Sequence, residues 1–116
     1  MKPFDLEERT LKFSQSTLLF CKGIRKSVDN VELVKQLVRS AGSVGANYRE
    51  ANEAISKRDF VHRLRICRKE AKESNYWVRL LKFNNNLTGD CDLLIVESQE
   101  LVKIFSAIIE KILANR

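Results

Sequence analysis

The sequence predicts an all-α protein, an up-down-up-down antiparallel four-helix bundle, and three observations lead there. The 116 residues include one proline and four glycines, too few to terminate the many short strands of an all-β domain. Apolar residues recur at helical spacing in four segments. The connections between those segments are short, which places consecutive helices antiparallel. A chain of this length supports one core, so residues 1–116 read as a single domain with helices at about 5–27, 30–55, 57–84 and 90–114.

The first helix opens on Asp5 with Glu8 three residues later, the spacing of a capping box, and Leu6, Phe13 and Phe20 follow at seven-residue intervals beside Thr10, Thr17, Cys21 and Ile24. The polar run Ser27-Val28-Asp29-Asn30 turns the chain, and Asp29 with Glu32 repeats the cap signal. Val34, Leu37, Val38, Ala41, Val44, Tyr48 and Ile55 then keep a helical period. Inside this helix the small residues Ser40 to Ala46 lack the spacing of a phosphate loop and read instead as a place where a neighbouring helix comes close. The third helix starts at Ser56 with Asp59 at N3. Its seam of Phe60, Leu64, Cys67, Ala71, Ser74, Val78 and Leu81 alternates steps of four and three residues, a heptad pattern. Asn84 to Asp90 is the strongest loop signal, with Gly89 giving backbone freedom and Asp90 placed to cap the fourth helix.

The fourth helix carries one apolar stripe of Leu94, Leu101, Phe105, Ile108 and Ile112 and a second of Ile95, Val102 and Ile109. On the third helix, Ile66, Trp77 and Leu80 line up beside the main seam. Two readings fit this surplus: a wide core-facing arc, or an interface with further copies of the chain.

Charge is distributed unevenly. The net charge is +6, and residues 57–82 alone hold 9 basic and 3 acidic residues. In the heptad register Arg58, Arg65, Lys72 and Arg79 share position b, Arg68 and Lys82 share e, and Lys69 takes f, so all seven are expected on one outer face. The b residues repeat about 10 Å apart along the axis. A ladder of that kind suits a polyanion, since each phosphate contact releases counterions. Tyr76 is the only aromatic near it, so backbone recognition of RNA is expected rather than base stacking. The competing readings are a solvated charged face, or an adaptor whose oligomeric surface and basic face recruit a protein partner.

Catalytic and cofactor chemistry finds little support. Glu50/Glu53 and Glu70/Glu73 have the spacing of bundle metal ligands, but His62 is the only histidine and no glutamate precedes it by three residues. No nucleophile and base stand at a recognisable spacing. The expectation is therefore a non-enzymatic protein with no metal and no cofactor. Glu70 and Glu73 read as members of a structural polar network with donors from Asn47, Tyr48 and Arg49. Cys21, Cys67 and Cys91 are odd in number and widely spaced, which argues for reduced thiols. The N-terminus lacks the apolar region of a signal peptide and Leu93 to Val96 is too short to span a bilayer, so a cytoplasmic location away from membranes is expected.

The elements Gln36-Leu37-Val38-Arg39-Ser40, Ser43-Val44-Gly45-Ala46-Asn47-Tyr48-Arg49-Glu50-Ala51, Asp59-Phe60 and Lys69-Glu70-Ala71-Lys72-Glu73-Ser74-Asn75-Tyr76-Trp77 carry a family resemblance. They resemble the bacterial four-helix-bundle proteins encoded by intervening sequences within 23S ribosomal RNA genes. Related accessory variability proteins of diversity-generating retroelements share the pattern. The resemblance is densest over residues 36–82 and implies a bundle assembling as a ring-like homopentamer, with RNA binding as the usual proposal and no defined catalytic activity. It also implies that Asn47, Glu50, Glu73 and Trp77 position the helices, a buried amide and carboxylate satisfying one another.

Overall fold

The computed structural model describes residues 5–115. Met1–Phe4, which enter the reading of the N-terminus, and Arg116 lie outside the described residues. The chain forms α1 (Leu6–Lys22), α2 (Val28–Asn52), α3 (Lys57–Asn85) and α4 (Asp90–Ala114), with no strand among the described residues. Each helix packs against its neighbours in chain order, and α4 closes the ring against α1. The result is an up-down-up-down bundle measuring 48 × 23 × 23 Å.

The helix starts follow from side chains that accept otherwise orphaned backbone N–H groups. Asp5 Oδ1 accepts from the Glu8 amide at 3.1 Å. Ser56 Oγ accepts from the Asp59 amide at 3.0 Å. At α2 the expected start moves: Ser27, not Asp29, is the cap, its Oγ accepting from the Asn30 amide at 3.2 Å. Asp29 falls in the first turn, where its carboxylate accepts from Ser27 Oγ at 2.7 Å and Asn84 Nδ2 at 2.7 Å. Asp90 is likewise the first residue of α4 and not its cap. Gly89 holds that position at φ 84°, a conformation that favours glycine.

Two helices end earlier than the periodicity suggests. α1 stops at Lys22 with Gly23 as its C-cap, so Ile24 to Ser27 form the connection. α2 stops at Asn52, and Ile55, counted as the last apolar position of that helix, is 93% exposed in the turn before α3. Both periodicities ran on through residues whose backbone has left the helix. At the other end of α3, Asn84 and Asn85 lie within the helix rather than in the loop. Asn86 closes it in a left-handed conformation, φ 53°, with the Leu87 amide donating to Lys82 O at 3.0 Å.

The core runs the length of the bundle through Leu6 and Phe13, Leu37, Ala41 and Val44, Leu64, Cys67, Ala71, Val78 and Leu81, and Leu94, Leu101 and Phe105. Gly45 explains part of the small-residue run. A Cβ there would meet Thr10 Oγ1 at 3.3 Å, so glycine lets α1 and α2 approach. Gly42 faces open space and has no such role. The second stripe expected on α4 also resolves differently: Ile109 is buried, and Ile95 and Val102 pack against the core. The apolar residues that α4 leaves uncovered are Leu93 and Val96, 70% and 56% exposed. Leu93 lies with Leu19 of α1 along the groove between α1 and α4.

Candidate nucleic-acid interface

α3 is 29 residues long, so its exposed face extends about 40 Å at 1.5 Å per residue. Arg58, Arg65, Lys69, Lys72 and Arg79 are exposed along it. The first four make no side-chain hydrogen bond or ion pair among the described residues.

The other three residues of the expected ladder are engaged. Arg68 is half-buried and its Nη1 donates to Ser106 Oγ at 3.3 Å. Lys82 Nζ meets Asp92 Oδ1 at 2.6 Å. Arg79 Nε donates to Asn75 Oδ1 at 2.9 Å, and Asn75 in turn donates to Ser98 Oγ at 2.9 Å and Ile95 O at 3.2 Å. The expectation of seven cations pointing outward on one face is therefore corrected. Position e flanks the buried seam on the side where α4 packs, so Arg68 and Lys82 turn towards α4, while at positions b and f Arg58, Arg65, Lys69 and Lys72 stay free among the described residues and Arg79 bonds to Asn75 on its own helix. The Asp92 carboxylate holds the Lys82 ammonium above its usual range, and the Lys82 hydrogen bond holds Asp92 below the usual carboxylate range.

The opposite side of α3 faces α2 and carries the polar contacts. Arg39 Nη2 donates to Glu73 Oε1 at 2.7 Å and Nη1 to Glu70 Oε1 at 3.3 Å. Glu70 is buried, with its charge matched by Arg39, as a carboxylate in that position requires. Ser40 and Ser74 share a hydrogen bond of 2.9 Å in the core, and Ser74 Oγ also donates to Glu70 O at 2.9 Å. Asn47 uses different partners: Nδ2 donates to Ser43 O and Oγ, both at 2.9 Å, and Oδ1 accepts from Arg63 Nη1 at 3.0 Å.

Asn47, Glu50, Glu73 and Trp77 thus do not form one network. Among the described residues no carboxylate reaches Asn47, Glu50 is exposed, and the buried Trp77 Nε1 has no acceptor. Trp77 instead packs on the core and meets Tyr76 edge to face at a centroid distance of 5.1 Å. Amide and carboxylate separate because an arginine stands opposite each of them: Arg63 serves Asn47, and Arg39 serves Glu73 and Glu70.

Sequence reasoning missed two groups. Asn30, fully buried, bonds to Asn85 Oδ1 at 2.7 Å and Arg25 O at 2.8 Å, and accepts from Asn84 Nδ2 at 2.9 Å and Asn85 Nδ2 at 3.0 Å. The run Asn84-Asn85-Asn86 looks like loop chemistry, yet two of its members lock the start of α2 to the end of α3. The second group is Lys22, Arg25, Lys26 and Lys35, which gather around a groove where α1 turns into α2. Lys35 joins the other three from α2, a juxtaposition set by the turn between the helices.

Chemically this arrangement suits binding of an anion along a surface. No three His, Cys, Asp or Glu side chains come together as a metal site among the described residues. Burial pushes the Cys21 thiol up to about 11 and the Cys67 thiol up to about 12, away from nucleophilic reactivity at neutral pH. No described helix is long and apolar enough to cross a membrane.

No curated protein sequence matches the chain. A crystal structure of a protein of unknown function from the S23 ribosomal protein family of Bacteroides thetaiotaomicron VPI-5482 is similar, with a TM-score of 0.78 and 32% identity. The similarity covers 89% of this chain and 96% of that one. The family profile described as 23S rRNA-intervening sequence protein matches residues 4–107. With four helices in the same arrangement and a profile match spanning nearly its whole length, the chain belongs to the 23S rRNA-intervening sequence protein family.

Proposed function

We propose that this protein is a non-enzymatic RNA-binding protein that grips the phosphate backbone with the exposed cations of α3. The observation that carries the reading is the row of Arg58, Arg65, Lys69 and Lys72, four cations with no intramolecular partner among the described residues. Cations kept free of carboxylates lose no affinity to competing internal pairs, and each one that meets a phosphate releases a counterion. Arg79 contributes through the guanidinium nitrogens that Asn75 leaves free. Lys82 and Arg68 brace α4 and stand beside the path of the strand.

The same reading includes self-association in the cytoplasm. Leu19, Leu93 and Val96 leave an apolar strip along α1 and α4 that a further copy would cover. A homopentamer, the assembly the family resemblance implies, would repeat the α3 row around a ring and multiply weak backbone contacts. Three free cysteines fit a reducing compartment.

The test compares the wild-type chain with Arg65→Glu/Lys72→Glu, each purified from cells after crosslinking, with sequencing of the bound RNA. RNA recovered with wild type and lost with the variant, at unchanged helicity and particle mass, supports the reading. Equal recovery contradicts it. A protein partner that survives nuclease treatment, with no RNA recovered, favours the adaptor function instead.

A further inference from the structure

At the start of α3 the basic row enters a groove shared with the last turn of α4. Lys57, Arg58, His62 and Arg65 surround this groove, Val61, Ile112 and Leu113 line it, and no carboxylate is among the lining residues. None of the four polar side chains has a hydrogen-bond or ion-pair partner among the described residues. Arg58, His62 and Arg65 follow one another at four and three residues, hence on one face of the helix. Three fixed positive charges, Lys57, Arg58 and Arg65, thus border a groove with no carboxylate in its lining, so the cluster is best compensated by a ligand of high negative charge.

Its chemistry differs from that of the row further along. There single cations are spaced for successive phosphodiesters, each with one negative charge. Here a guanidinium pair, an ammonium and an imidazole converge over an apolar floor. A phosphate monoester carries about −1.5 to −2 at neutral pH and offers three acceptor oxygens. Arginine binds such a group through two parallel N–H donors, and lysine adds a point charge. In an RNA strand that group occurs only at an end, attached to a nucleoside whose apolar faces match Ile112 and Leu113.

We propose that this groove receives the phosphate-bearing end of an RNA strand, with Lys57, Arg58, His62 and Arg65 donating to the terminal phosphate and Ile112 and Leu113 packing on the terminal nucleoside. The proposal rests on the RNA-binding reading and adds an anchor point and a polarity to it. The strand then runs from the groove along Lys69 and Lys72.

Fluorescence anisotropy with one internally labelled RNA in three forms tests this: 5′-phosphorylated, 3′-phosphorylated, and hydroxyl at both ends. One phosphorylated form should bind about tenfold more tightly than the hydroxyl form, and which form does so assigns the strand direction. Lys57→Ala/His62→Ala, both outside the α3 row, should erase that margin while keeping affinity for the hydroxyl form within about twofold. Equal binding of all three forms, or a margin that survives in the double variant, overturns the groove proposal and leaves the backbone reading intact. Failure of every form to bind overturns both. Circular dichroism of the double variant confirms that both substitutions leave the helices in place.

Discussion

The two halves of α3 are built from the same residue types and use them differently. From the start of α3 to its middle, Arg58, Arg65, Lys69 and Lys72 stand free of partners among the described residues, whereas towards its end Arg79 is tied to Asn75 and Lys82 to Asp92. Arg68, at position e within the free stretch, is half-buried and bonded to Ser106. The contrast shows that a basic residue on a helix surface is defined by what packs beside it. One step around the heptad, from Lys69 to Arg68, separates a free cation from a brace for the next helix.

The largest expected effect comes from breaking the free half. Arg58→Glu/Arg65→Glu/Lys72→Glu should weaken RNA binding by at least about a hundredfold in moderate salt, by filter binding, with helicity unchanged. The tied half should respond in the opposite sense: Arg68→Ala/Lys82→Ala should lower Tm by a few degrees in a thermal melt and leave RNA affinity near wild type. Asp92→Asn sharpens the comparison, because it releases Lys82 and removes a negative charge beside it. RNA affinity should rise by about two- to threefold, at a small cost in Tm.

The smallest effect is on acid stability. Asp92 and Asp29 both lie below the ordinary carboxylate value of 3.8, Asp92 through Lys82 and Asp29 through Ser27 and Asn84. Their stabilisation is therefore complete above that value and is lost as pH falls through the lower folded-state values. Asp29 is exposed and the Asp92 side chain is about half-exposed, so the loss is modest. Melts in acid, below about pH 4, should show a shallower decline for Lys82→Ala than for wild type, since Asp92 then has no ammonium to lose.

Much of the fold was legible because its signals are local. Ser56 with Asp59 marks the start of α3, and the seam from Leu64 to Leu81 is buried as its period requires. What sequence did not show were features decided by a neighbour. Periodicity cannot tell that α1 leaves the helix at Gly23, or that Ile55 lies beyond the end of α2. Asn47 and Glu73 share a motif, yet Arg63 and Arg39, approaching from opposite directions across the α2–α3 interface, give them separate partners. The basic excess of residues 57–82 was plain from the chain, and its division into free and tied cations required the position of α4.

The most direct test of that division is the salt dependence of RNA binding in three proteins: wild type, Arg58→Ala/Arg65→Ala/Lys72→Ala, and Arg68→Ala/Arg79→Ala/Lys82→Ala. On a single-stranded RNA each lost phosphate contact reduces the slope of log K against log salt by about 0.7. The first variant should lose about 2 units of slope, and the second should lose less than half of that, through Arg79 alone. Equal losses in the two variants, or a slope unchanged in the first, would contradict the account.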